Sequence, residues 1–322
     1  MTFRSHALIL AAPLALAAGF AAAQEWPVKP VRAIIAFTPG SATDIAGRIV
    51  AEKLGAALGQ PVVAENRVGA GGTIGANAVA KADPDGYTIL VNSSAHASYP
   101  AMYAQLPFDP FNDFVHLTAI AGQPNVVVVN PDRGYKSLAD VVAAAKAKPG
   151  QLNYASAGVG SGTHFNAEKF RLAAGLDIVH VPHKGTPEAL NDVLAGRVEY
   201  FFCPITAALP QVKGGKVTAL AVSTPKRSAL LPEVPTTVAA GFPGSDYILW
   251  VGMWLPAKTP QPIVQKLHAA AVKVLGDPDV KERLAKLGAD PMPMGMPEFE
   301  AFVRAEANDA IRIAKAAGIK PQ

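Results

Sequence analysis

Val31–Phe37 (VRAIIAF) leads into Thr38, Pro39, Gly40, Ser41, Ala42, Thr43 and Asp44, and Thr43–Leu58 (TDIAGRIVAEKLGAAL) follows. The first run is apolar and β-branched, the pattern of a buried strand. The last places Ile45, Ile49, Val50, Leu54 and Leu58 at helical spacing. Between them a strand must end, a tight turn form and a helix start within a few residues. Ser41 suits the N-cap and Asp44 the third helical position, a variant of the capping box. The same alternation recurs outward from this unit. Val62–Glu65 and Thr88–Asn92 read as strands, and Val126–Val129 opens a second series. That series runs through helix Leu138–Ala147, strand Leu152–Ser156, helix Thr163–Ala174, strand Ile178–Val181, helix Pro187–Leu194, strand Glu199–Phe202, helix Ala207–Lys213 and strand Val217–Val222. Alternating strands and helices predict an α/β fold with parallel strands.

Ile248–Leu255 looks like a strand returning to the first unit, followed by helices Pro260–Leu275, Val280–Leu287 and Pro297–Ala316. Pro260 and Pro297 stand where helix starts tolerate proline. One domain interrupted by another, with crossings near Ala121–Asn125 and Tyr247–Gly252, predicts a two-lobed hinge architecture with an interlobe cleft. The expected division is residues 24–123 plus 248–322 for the first lobe and 124–247 for the second. The Gly69–Gly75 stretch lacks the G-x-G-x-x-G spacing of a phosphate cradle and reads as a turn leading into a helix.

Residues 1–23 read as a cleaved export signal. Arg4 and His6 precede an apolar run from Ala7 to Phe20, and Ala21, Ala22 and Ala23 offer a cleavage site before Gln24. Export places the expected mature chain in the periplasm of a Gram-negative bacterium. The formal net charge of +4 is nearly balanced and forms no basic stripe, so no nucleic-acid partner is expected. Cys203 is the sole cysteine, which leaves no internal disulfide. The seven histidines form no metal-ligand pair, and no nucleotide fingerprint appears. Neither a cofactor nor a metal is expected, and a monomer is.

A helix start presents unpaired N–H groups at the positive end of its macrodipole, which suits an anion. An ordinary capped helix carries the same signs, so the turn at Ser41 alone decides little. Tyr154–His164 repeats its grammar in the other expected lobe. A strand ends, Ser156, Ala157, Gly158, Val159 and Gly160 fill a turn, and a helix begins near Ser161 with Gly162, Thr163 and His164. Two such starts facing one cleft could hold one carboxylate. Neither loop contains Lys or Arg, so amides and hydroxyls would carry the charge.

The chain resembles the Bug family of periplasmic binding proteins, which serve tripartite tricarboxylate transporters. The resemblance spans the mature chain. It is carried by Phe37–Gly40 with Asp44–Arg48, Val63–Gly72, Asp83–Thr88, Leu152–Ser156, His180–Gly185 and Ala219–Val222. It implies a type II two-lobed fold, closure on a ligand without chemistry, and membrane permease subunits as partners. It implies that the loops matching Thr38–Asp44 and Ser156–His164 grip a carboxylate through backbone amides and ordered water. The sequence departs from the usual pattern at Ser41, Val159, His183 and Cys203. Cys203, in Phe202-Cys203-Pro204, stands where an aspartate suited to a ligand ammonium is common. A mono- or dicarboxylate without an amino group is therefore expected, aromatic ones included.

The expected ligand-binding residues are Phe37, Thr38, Gly40, Ser41, Ala42, Thr43, Asp44, Ser93, His96, Ser156, Gly158, Val159, Ser161, Thr163, His164, Cys203 and Pro204. For His96 a packed turn histidine is an equal reading, and for His164 a role in holding its loop. Trp250 and Trp254 read as core. Two other functions fit parts of the sequence. A ligand sensor feeding a two-component system would use the same trap. An exported hydrolase could use Ser161 with His164 or His180, but Val159 breaks the G-x-S-x-G elbow.

Overall fold

The computed structural model describes residues 25–321. The export signal expected at residues 1–23 lies outside them. The first segment is β1 (Val31–Ile35), α1 (Ala42–Leu58), β2 (Val62–Asn66), α2 (Thr73–Ala80), β3 (Thr88–Ser93), α3 (Ala95–Met102) and β4 (Phe114–Gln123). The middle is β5 (Asn125–Val129), α4 (Leu138–Ala147), β6 (Asn153–Ser156), α5 (Gly162–Ala174), β7 (Val179–Pro182), α6 (Thr186–Leu194), β8 (Tyr200–Pro204), α7 (Ile205–Lys213) and β9 (Thr218–Val222). The chain ends with β10 (Leu249–Pro256), α8 (Gln261–Leu275), α9 (Pro278–Ala285), the two-residue β11 (Asp290–Pro291) and α10 (Met296–Ala317).

These strands form two sheets. One has the order β11-β4-β10-β3-β1-β2, the other β7-β6-β8-β5-β9. β1 lies parallel between β2 and β3, and its residues are buried except Arg32, as a strand covered on both faces requires. In the second sheet β6 is parallel to β7 and β8. Antiparallel pairs occur where the chain changes sheets. β4 leaves the first sheet at Gln123, and β5 begins in the second at Asn125, with Pro124 between. β10 re-enters the first sheet at Leu249, beside Gln123. Ser223 ties the two crossings together. Its Oγ accepts from Asn125 N (2.9 Å) and donates to Tyr247 O (2.7 Å).

β4 and α3 were not legible in the sequence, whereas α2 follows the turn and helix entry expected at Gly69–Gly75. β4 carries His116 and Thr118 inside a buried strand, and Thr118 Oγ1 accepts from Met294 N (2.9 Å). α3 holds Pro100, and α2 begins after Gly69, Gly71 and Gly72, which all take positive φ. Tertiary contacts, not propensity, hold these segments.

Each sheet buries an apolar cluster on both faces. On one face of the first sheet, Trp250, Trp254 and His116 surround Phe299 of α10, with ring centroids 5.2–6.1 Å apart. A Cβ at Gly252 would come within 2.5 Å of Phe299 Cζ, so the tip of the ring abuts bare β10 backbone. Phe299→Ala is expected to lower unfolding free energy by about 3–5 kcal/mol, because the aromatic cage cannot collapse onto the void. Urea titration measures this; a loss below about 1 kcal/mol would contradict the packing described.

Candidate functional site

The carboxyl ends of β1, β3, β6 and β8 converge on one small cavity. Phe37, Ser41, Ala42 and Thr43 line it from the β1–α1 turn, and Ser93 from the end of β3. Ala157, Ser161, Gly162 and Thr163 line it from the β6–α5 turn. Thr186 opens α6, Pro204 ends β8 and Leu249 starts β10. No lining residue carries a formal charge.

Local chemistry builds the β1–α1 turn. Ser41 is extended (φ −72°, ψ 161°) and its Oγ accepts from Asp44 N (3.2 Å). Gly40 takes φ 79°, and its amide donates to Asp44 Oδ2 (3.0 Å). Asp44 Oδ1 accepts from Arg48 Nε and Asn66 Nδ2, both at 2.8 Å. Asn66 Nδ2 also donates to Phe37 O (2.8 Å), tying the end of β2 to the turn. The Asp44 carboxylate is therefore buried, neutralised by Arg48 and committed to the loop.

The β6–α5 turn follows the same plan. Ser161 is extended (φ −67°, ψ 156°), accepts from His164 N (3.3 Å) and donates to Gly158 O (2.7 Å). Thr163 Oγ1 accepts from Ala157 N (2.9 Å). Gly158 and Gly160 take φ 117° and 77°, which only glycine adopts without strain. The side-chain oxygens are thus largely spent on shaping the turns. What remains are the first helical amides, of Ala42 and Thr43 in α1 and of Gly162 and Thr163 in α5. They have no acceptor among the described residues, as first-turn amides of a helix do not. Thr186 adds the start of a third helix, α6. The helical pattern beginning at Pro187 hid it, because its N-cap is the featureless Gly185.

Other expected residues sit behind or away from the cavity. Thr38 does not line it; Thr38 faces Gly185, and its buried hydroxyl has no partner among the described residues. Ser156 is buried and shares a 2.6 Å hydrogen bond with His180 Nε2. His164 stacks on His180 at 4.0 Å, and its Nδ1 accepts from Gly160 N (3.3 Å), so it supports the loop from behind. Val159 packs into an apolar cluster with Tyr103, Leu172 and Tyr247. Two expectations are corrected. His96 does not line the cleft; it stacks on Trp254 (4.4 Å) in the core and bonds Pro110 O (2.7 Å). Cys203 points into the core beside Val126 and Phe201, and burial pushes its thiol well up. Strand alternation turns Cys203 inward and leaves its neighbour Pro204 at the cavity.

Ser156 with His180 is the nearest approach to a hydrolytic pair. No carboxylate bonds His180 among the described residues, and burial lowers its pKa to about 4. A larger cavity of about 190 Å³ lies between α3, α5, α10 and Tyr247. It sets one cation, Lys169, against Asp246, Glu306 and Asp309, a poor setting for an anion.

Burial also lowers His96 to about 3 and His116 to about 4, with His164 well below the ordinary value. The unfolded chain takes up these protons near pH 6.5, before the folded protein does. Stability is therefore complete above pH 6.5 and falls as pH drops toward 4. Between pH 7 and 5 the loss should be roughly 1–2 kcal/mol per histidine. Melting curves at the two pH values should show it, and His180→Gln should narrow the gap; a pH-independent melting temperature would contradict the buried neutral rings.

Residues 46–319 match the family model described as tripartite tricarboxylate transporter family receptor. The protein BugT of Bordetella pertussis is 33% identical over 308 residues, which cover 94% of each chain. An R. palustris protein solved with adipate superposes with a TM-score of 0.89 at 33% identity, over 92% of this chain and all of that one. MatC from Rhodopseudomonas palustris, solved with bound malate, gives 0.85 at 32% identity, over 90% of this chain and all of that one. The two sheets, their paired crossings and the cavity between them accompany a family match over most of the chain, which belongs to the tripartite tricarboxylate transporter receptor family.

Proposed function

We propose that this protein is a periplasmic solute-binding protein that captures a small organic carboxylate for the permease subunits of a tripartite tricarboxylate-type transporter. The observation that carries the reading is a cavity with no charged lining and unpartnered helix-start amides on two sides. Each helix terminus contributes roughly 0.3–1 kcal/mol toward an anion, rising to about 2 when partly buried. Each hydrogen bond to a charged group adds roughly 1.5–3 kcal/mol. After association costs, several such contacts fit a micromolar dissociation constant. Phe37, Leu249 and Pro204 offer apolar contact to a short carbon chain between the polar ends. Similarity to relatives solved with adipate and malate supports a dicarboxylate guest.

In this reading each sheet with its helices is one lobe. Residues 24–123 plus 248–322 move against residues 124–247, and the hinge is the pair of crossings bridged by Ser223. In this reading the protein performs no chemistry on its guest, in keeping with a receptor family, and no nucleophile, base and acid meet at the cavity among the described residues.

Calorimetry with linear C4–C6 dicarboxylates, monocarboxylates and amino acids tests the proposal. A dicarboxylate should bind with a micromolar constant and, at 100 times that constant, add about 2.7 kcal/mol of stability. Amino acids should not bind, because no acidic side chain lines the cavity to meet an ammonium. Thr186→Phe should fill the cavity and weaken binding at least about 100-fold, a loss of about 2.7 kcal/mol. An unchanged constant in that variant would remove the cavity from consideration.

A further inference from the structure

Gly185 precedes α6 in the second half of the molecule, in extended backbone (φ −177°, ψ −177°). Any residue adopts that conformation, so nothing in its own half requires glycine. Yet a Cβ at Gly185 would overlap the Thr38 hydroxyl of the first half, with Thr38 Cγ2 at 2.8 Å and Cβ at 3.0 Å. Rotating Thr38 moves its hydroxyl and methyl but leaves its Cβ in the way. Two more glycines meet the opposite half in the same manner. A Cβ at Gly71 would overlap the Val159 carbonyl oxygen. One at Gly162 would overlap Ser94 Oγ and lie 2.5 Å from Leu249 Cδ1. Hydrogen bonds across the same boundary complete it: Ser98 Oγ donates to Gly160 O (2.5 Å) and Tyr247 Oη to Ser94 Oγ (2.8 Å).

We propose that Gly71, Gly162 and Gly185 form a closure seam, a line of bare backbone on which the lobes land, and that Gly185 sets how far they shut. The inference rests on the two halves being hinged lobes that close on a carboxylate. Gly185 does not line the cavity, so its influence on binding would act through closure alone. Side chains along the seam would hold the lobes apart at the point where the first helical amides of α1 and α5 must reach one guest together. At Gly71 and Gly185 a methyl group is enough, because the first meets the Val159 backbone and the second the Thr38 Cβ; Gly162 meets only the tips of Ser94, Leu249 and Tyr247.

The test uses the full mature chain with Gly185→Ala, Thr38→Gly and the double variant. X-ray scattering and calorimetry are recorded with the same panel of C4–C6 dicarboxylates. The parent should compact on adding a dicarboxylate. Gly185→Ala should keep the parent's ligand-free melting temperature, stay expanded at the same acid concentration and bind at least about tenfold more weakly, since its closed state is depopulated. The double variant should compact again. Compaction and binding by Gly185→Ala equal to the parent overturn the seam. So does a Gly185→Ala chain that fails to fold, or a double variant that recovers no compaction. A parent that neither binds nor compacts with any acid of the panel refutes the carboxylate trap itself, and the seam with it.

Discussion

The proposed site sets an electrostatic constraint: in that reading the cavity takes an anion, yet no cation stands among its described lining residues. Taking a carboxylate out of water is costly unless donors replace its hydration. A buried lysine or arginine would bring its own desolvation penalty and would stay charged when the site is empty. Helix-start amides avoid this. Their positive character is part of the backbone and remains in place without a counter-ion. The surroundings serve that choice. Asp44, the one acid in the first turn of α1, is neutralised by Arg48 and bound by Gly40 and Asn66. Ser41 and Ser161 cap the third helical amide and leave the first two open.

Placing helix starts from two halves at one cavity ties binding to the relative position of those halves. The crossings at Pro124 and before Leu249 run side by side, and Ser223 bonds both. In the proposed hinge, a rotation there would carry α5 and α6 toward or away from α1 while each sheet keeps its own core. In that reading, bare backbone at the meeting surface and the pivot behind it would be two parts of one device. Histidine contributes to the rigid part: His164, His180 and Tyr154 stack behind the second turn and hold it from the side opposite the guest. Burial disfavours the imidazolium form of both histidines.

Much of this was legible along the chain. The strand–turn–helix unit from Val31 to Leu58 announced itself through hydrophobic period and capping residues. The parallel unit from Tyr154 to Ala174 did the same. The return of Leu249–Pro256 to the first sheet was visible as an apolar run out of sequence with its neighbours. β4 and α3 were not visible, because His116, Thr118 and Pro100 break the local pattern and find their partners far away. Thr118 meets Met294, and His96 lies on Trp254. Thr186 was hidden by a helix without a capping side chain.

Local rules therefore determined the element types, the two capped helix starts and the absence of charge from their turns. Each follows from residues within about one helical turn of one another, where sterics and hydrogen bonding act directly. Tertiary structure decided the rest. It turned Cys203 into the core while Pro204 reached the cavity, and it moved His96 from the cleft into an aromatic stack. It also committed Asp44 to Asn66 and Arg48, and set Gly185 against Thr38. Those outcomes depend on which face of a strand is buried and on which distant segment lands opposite. Packing settles both only when the whole chain has closed on itself.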